Sequence, residues 1–175
     1  MKKRIICAAL LAAMVCTAAS CGDNKPAESV TSTTAAAQTD NVTQSDFTAS
    51  DVTKAILDEV PIHSAFEKSA SSTVDEFDLD DDMAGKLVDS SYVIGSTDSP
   101  EEMAVFRFDS ADTAESAVAK AQEKLERQEN YYRNYSPEEA YKLDDAVIEQ
   151  SGEWLFYLIT GNNTRAKEIA LSFMG

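Results

Sequence analysis

Cysteine, histidine and tryptophan are nearly missing from this 175-residue chain, which holds three, one and one of them. The cysteines, Cys7, Cys16 and Cys21, all fall at the N-terminus, so no thiol follows residue 21. That excludes an internal disulfide, a cysteine nucleophile and a cysteine-based zinc site from the rest of the chain, whose stability must come from packing. His63, the sole histidine, excludes a His-rich metal site, and nothing around it resembles a nucleophile elbow or an oxyanion loop. No glycine-rich phosphate loop or dinucleotide fingerprint occurs. Carboxylates are plentiful enough for a glycosidase-like acid and base, but such a site also needs an aromatic-lined cleft, and Trp154 is the one tryptophan.

Positive charge is scarce too: 15 Lys and Arg stand against 31 Asp and Glu, a net charge of −16. Residues 1–50 contain four basic residues (Lys2, Lys3, Arg4, Lys25) and four acidic ones (Asp23, Glu28, Asp40, Asp46), so residues 51–175 carry the whole −16. Such a surface repels phosphate backbones and anionic headgroups, which argues against nucleic acid and against flat docking on a membrane. Its plain meaning is solubility in a crowded envelope.

What is present at the N-terminus is an address. Lys2, Lys3 and Arg4 precede an apolar run over 5–19, too short for a bilayer span of roughly 20 residues but suited to the h-region of a signal peptide. Ala18, Ala19, Ser20 and Cys21 then match a lipobox, with Ala18 where Leu is more frequent. Two readings stand: lipidation of Cys21 after removal of residues 1–20, and ordinary secretory cleavage near Ala19. A di- or triacylated Cys21 would hold the protein at the outer face of the cytoplasmic membrane, since stable anchoring takes two lipid signals. Residues 21–50 read as the lipidated cysteine and a Ser/Thr/Ala tether too poor in apolar surface to order itself. The Thr-rich stretch 31–34 is either plain spacer or a site for glycans.

Residues 51–175 are one domain's worth of chain. The periodicities predict a helix over 51–60 capped by Ser50, and a short helix from Asp80 or Asp81 with Met83 and Leu87 pointing inward. A hairpin of strands 92–94 and 103–108 follows, with Ala104, Phe106 and Phe108 on one face. The longest helix spans 110–132, on the spacing of Ala114, Val118, Ala121, Leu125 and Tyr132. A second hairpin, 146–150 and 153–159, turns at Ser151-Gly152, and a helix over 164–173 closes the chain. The halves align at an offset of 51, Met103 with Trp154, Phe106 with Tyr157 and Val118 with Ile169. Two ββα units, or merely two amphipathic segments of similar pattern, account for this equally. The predicted fold is α+β, a four-stranded antiparallel sheet with helices packed on one face plus N-terminal helices.

The lipobox and tether, Glu102-Met103-Ala104-Val105-Phe106, the helical Lys124-Leu125-Glu126-Arg127-Gln128, then Tyr135-Ser136-Pro137-Glu138 and Ser151-Gly152-Glu153-Trp154 together resemble lipoproteins of Gram-positive anaerobes grouped as Domain of Unknown Function 4358. The resemblance covers 51–175, with Trp154 where Tyr is more common. It implies an extracytoplasmic, membrane-anchored α+β domain and brings no activity, ligand or catalytic residue to transfer.

Two concentrations of residues remain as candidate sites. Asp78, Asp80, Asp82 and Asp89 fall at positions 1, 3, 5 and 12 of a calcium loop, but Met83 stands where the loop needs glycine and Asp89 is shorter than the usual bidentate Glu. A solvated helix start is the alternative. Tyr131, Tyr132, Arg133, Tyr135 and Tyr141 are residue types favoured at interfaces; the alternative is that several of these rings pack under the sheet edge. The sequence therefore predicts a lipid-anchored, non-enzymatic protein-binding or assembly module with an envelope protein partner and no cofactor. A small-ligand or cation-binding lipoprotein is the second reading, and a cell-wall hydrolase the third.

Overall fold

The computed structural model describes residues 46–175, so the signal, Cys21 and the tether up to residue 45 lie outside the described residues. The element order is α1 (Ala49–Glu59), β1 (Phe66–Glu67), α2 (Ala70–Glu76), α3 (Asp81–Gly85), β2 (Leu87–Ile94), β3 (Glu102–Phe108), α4 (Ala111–Tyr135), a 3₁₀ turn (Ala140–Leu143), β4 (Val147–Ser151), β5 (Trp154–Ile159) and α5 (Asn163–Ser172). The strands form one antiparallel sheet in the order β1-β2-β3-β5-β4.

The fold is α+β, as the sequence predicts, but the sheet has five strands rather than four. The addition is β1, a two-residue edge that pairs Phe66 with Ile94 and Glu67 with Val93, too short to leave a periodic signal. Helices cover both faces, not one. Every residue of β3 and β5 is buried, and strands buried on both faces read as continuous apolar runs, which Met103-Ala104-Val105-Phe106 and Trp154–Ile159 are. On one face Ala104, Phe106, Phe108, Leu155 and Tyr157 pack under α4 and the α2–α3 segment. On the other, Met103, Val105, Trp154, Phe156 and Leu158 pack under α1 and α5.

The offset of 51 is visible in the sheet. Val105 pairs across the ladder with Phe156, its own counterpart at that offset, so a local two-fold relates β3 to β5. The helices break the relation, because Val118 of α4 packs on one face while Ile169 of α5 packs on the other.

Local chemistry moves several boundaries. Thr48, not Ser50, caps α1, because Thr48 and Asp51 close a capping box in which each side chain accepts the other's backbone N–H. Phe47, assigned above to the tether, stacks on Trp154 at 4.9 Å and meets Phe173 edge-on at 5.1 Å. Leu87 begins β2 instead of extending α3, and Gly152-Glu153 form the second hairpin's turn, with Gly152 at φ +56°. Helix α2 has no counterpart in the sequence reading. Its segment Ala-Ser-Ser-Thr-Val-Asp-Glu is poor in strong helix formers, and Ser69 starts it by accepting from the Ser72 N–H. Tertiary packing of Val74 and Phe77 then holds it.

Candidate functional site

The large core on the α4 side is not wholly apolar. Ala104 pairs with Tyr92 on one side and Tyr157 on the other, so two tyrosines flank one small residue in the middle of the sheet. Phe77 packs edge-on against Tyr92, Phe106 and Tyr157 at 4.8–5.4 Å. Two residues along β3 on the same face is Glu102, 4% exposed. The Tyr92 hydroxyl donates to Glu102 Oε2 at 2.5 Å, and Lys124 of α4, 5% exposed, brings its ammonium to 3.2 Å from Glu102 Oε1. Lys124 also lies over the rings of Phe77 and Tyr92, 5.1 and 5.4 Å from their centres, and reaches Glu76 Oε2 at 3.5 Å.

Burial drives the electrostatics. It pushes the Glu102 carboxyl above its usual range, opposed by the Lys124 charge and the Tyr92 hydrogen bond. It also raises the phenols of Tyr92 and Tyr157, assisted by the negative charge of Glu102, so both stay neutral. The buried Glu102 Oε1 and Tyr157 hydroxyl close no hydrogen bond of good geometry. A carboxyl whose folded pKa is raised holds its proton more tightly folded than unfolded. Its contribution is therefore most favourable below the ordinary carboxylate pKa and is lost as pH rises through the raised value. Relative to Glu102→Gln, the wild type is expected to lose stability as pH rises above about 4.3, the ordinary glutamate value. Urea denaturation of both proteins across pH 4 to 8 checks this, and parallel pH profiles would refute it.

Around this cluster the chain leaves a recess of about 170 Å³, bounded by α2, α4 and the β2–β3 loop. Gly95 belongs to its rim, where a Cβ would come within 2.9 Å of Ile62 Cγ2 and 3.0 Å of the Glu101 carbonyl. Tyr132 closes one wall, donating its hydroxyl to the Ser99 carbonyl at 2.7 Å. Lys142 ties the loop to the 3₁₀ turn through Glu139 at 2.7 Å, Glu101 at 3.4 Å and Ser99 Oγ at 3.1 Å.

The tyrosine cluster is split. Tyr132 is buried, whereas Tyr131 and Tyr135 are 53% and 74% exposed with ring centres 5.0 Å apart on the last turns of α4. Arg133, exposed on the other side of the same turns, pairs with Asp144 at 3.0 Å and Glu129 at 3.8 Å. Tyr141 is exposed on the 3₁₀ turn and lines a different recess, with Thr160 to Thr164.

The four aspartates are not brought together. Asp78 occupies the left-handed position, φ +49°, that ends α2 in a Schellman motif, in which Leu79 N–H donates to Val74 O and Asp78 N–H to Asp75 O. Its carboxylate pairs with Arg127 at 3.0 Å. Asp80 caps α3 by accepting from Met83 N–H, Asp82 pairs with Lys86, and Asp89 accepts from Ala49 N–H at the start of α1. Among the described residues no group of three or more acidic, His or Cys side chains is placed to hold a metal ion. His63 is exposed, with its carbonyl accepting from Ser96 N–H.

The sequence reading missed Lys124 and Glu102 as a pair, although a signal was there. Ala114, Ala117, Ala121, Lys124, Gln128 and Tyr132 follow a 3-4-3-4-4 spacing, which places Lys124 inside the buried stripe. Glu102 likewise shares the alternation of Ala104, Phe106 and Phe108.

An α+β domain with a two-sided antiparallel sheet and a buried Lys–Glu–Tyr cluster beside a polar recess is thus the class of protein defined here. The sequence profile described as Domain of unknown function (DUF4358) matches residues 66–160, and the chain belongs to that family. Glu76, Tyr92, Glu102, Lys124, Gln128, Tyr132 and Tyr157 all lie within the matched segment. No curated protein and no solved structure matches the chain.

Proposed function

We propose that this protein is a lipid-anchored, non-enzymatic binding or assembly module, held by Cys21 at the outer face of the cytoplasmic membrane and recruiting an envelope protein through the end of α4. The observation that carries this reading is the exposed Tyr131–Tyr135 pair, two rings in contact on one side of the helix end. Two large tyrosine rings kept in water side by side on one helix end are of the residue type enriched at interface centres. The lipobox pattern at Ala18-Ala19-Ser20-Cys21 supports the location. Among the described residues no helix is long and apolar enough to cross a membrane.

In-cell crosslinking of the full chain, read by mass spectrometry against a tether-only control of residues 21–50, tests the reading. A reproducible envelope protein partner is expected, with yield cut about tenfold by Tyr131→Ser/Tyr135→Ser, the loss of ~1.4 kcal/mol that one weakened interface centre produces. Equal capture by that variant would remove this patch from the function. Membrane release by Cys21→Ser tests the anchor separately.

A further inference from the structure

The two edges of the sheet are built differently. At β1 the edge is two residues long, and the β2–β3 ladder beside it shifts register between Leu87 and Asp89. At β4 five consecutive residues pair in unbroken register with β5, from Val147 with Leu158 to Ser151 with Trp154, and none of them is proline. The neighbouring ladder sets the hydrogen-bond phase. Phe108 N–H donates to Glu153 O, so Leu155, Tyr157 and Ile159 turn their backbone groups towards β3, and Trp154, Phe156 and Leu158 turn theirs towards β4. Val147, Glu149 and Ser151 are thereby satisfied, which leaves the N–H and C=O groups of Ile148 and Gln150 pointing out of the sheet. Among the described residues no strand pairs with that side.

Very short edge strands, bulges, prolines and uncompensated charges keep sheets from joining another chain, and β4 has none of them. Its one charged residue, Glu149, is paired with Lys167 of α5 at 2.8 Å. Apolar surface lies beside the open backbone, because Ile148 with Val118 and Leu125 of α4 is only partly buried on the α4 side of the sheet. Charge selects what can lie there. Asp144, Glu149 and Glu153 along this edge are ion-paired with Arg133, Lys167 and Arg107, and Asp145 has no ion pair among the described residues. The surplus of −16 over residues 51–175 therefore repels a second copy of the chain and draws in a basic segment.

We infer that the β4 edge is a strand-addition site for an extended segment of another protein, rich in lysine or arginine, with apolar residues at alternate positions. The segment hydrogen-bonds the backbone of Ile148 and Gln150. Its apolar side chains cover Ile148, Val118 and Leu125 on the α4 side, and its cations fall on the face of Glu149. The site does not rest on the Tyr131–Tyr135 surface, so a Tyr131→Ser/Tyr135→Ser variant keeps it.

The test is titration of the full chain with an acetylated peptide of alternating lysine and valine, read by calorimetry and by hydrogen exchange at single amides. A glutamate–valine peptide of equal length and a fully N-methylated lysine–valine peptide are the controls. In the free chain the amides of Ile148 and Gln150 are expected to exchange at least about tenfold faster than those of Val147, Glu149 and Ser151. The lysine–valine peptide is expected to saturate at millimolar concentration or below and to slow those two amides, with both controls at least about tenfold weaker. Gln150→Pro removes an outward N–H and is expected to weaken the peptide about tenfold, and Gln150→Lys, which places a like charge beside the incoming strand, about threefold at unchanged unfolding midpoint. The inference is overturned by Ile148 and Gln150 amides protected in the free chain, or protected by self-association as concentration rises. It is equally overturned by a lysine–valine peptide that does not saturate up to about 5 mM, by either control binding as tightly, or by unchanged affinity in both variants.

Discussion

Lys124→Met is expected to cost the fold about 3–5 kcal/mol at neutral pH, because it leaves the Glu102 carboxylate buried without its cation. Two surroundings make the loss large. The ammonium is the nearest positive charge to a carboxylate that is almost wholly enclosed, and it also sits over two aromatic faces that a thioether occupies less favourably. The cost should shrink as pH falls, since a protonated Glu102 needs no counter-charge. The variant is thus least stable where the wild type's carboxyl would be ionised. Adding Glu102→Gln to Lys124→Met removes the stranded charge while keeping an acceptor for the Tyr92 hydroxyl. The double variant should therefore recover most of the loss. A double-mutant cycle in urea at pH 7 reads this as a coupling of at least about 1.5 kcal/mol. Additive single losses would show that Lys124 and Glu102 are not paired in the folded protein.

Phe77→Ala is expected to be of similar size, about 3–5 kcal/mol, for a different reason. Phe77 is 1% exposed and is the one ring in edge-on contact with Tyr92, Phe106 and Tyr157 together. Truncation forfeits its buried area, leaves a void between three rings fixed to the sheet, and loses aromatic contacts contributing about 0.5–1.5 kcal/mol each beyond area. It also removes a face against which Lys124 rests. Because Phe77 is the C-cap of α2, a short helix of weak formers, the loss should extend to amide protection across Ala70–Glu76. Denaturation at an unchanged m-value, with hydrogen exchange on that segment, is the measurement. A cost below about 1 kcal/mol would mean that α2 does not seal this face of the sheet.

Both predictions concern residues to which the sequence reading assigned no role, and the reason is physical. A lysine on a long polar helix has the same local signature whether it faces water or a carboxylate. Only the 3-4-3-4-4 spacing separates Lys124 from Lys120, which is exposed enough to pair with Glu123 at 3.1 Å. The aspartates show the reverse. Their spacing imitates a cation loop, but Asp78 was needed to end a helix, Asp80 to start one and Asp89 to meet the first N–H of α1. Short polar side chains serve backbone termini and metals with the same atoms, and only the path of the chain decides between them. In the tyrosine cluster, 131 and 135 lie one helical turn apart and emerge together, whereas 132 faces 100° away and is buried.

The sequence by itself determined the α+β class, the central hairpins, the long helix and the family, because each rests on interactions within a few residues or on a contiguous motif. Tertiary structure alone decided the fifth strand, the placement of α5 opposite α4, the existence of α2 and the meeting of Tyr92, Glu102, Lys124 and Tyr157. These depend on which faces are buried against which, across separations of up to 65 residues between Tyr92 and Tyr157. Hydrophobic burial is non-directional, so an apolar strand shows that it is covered without showing by what.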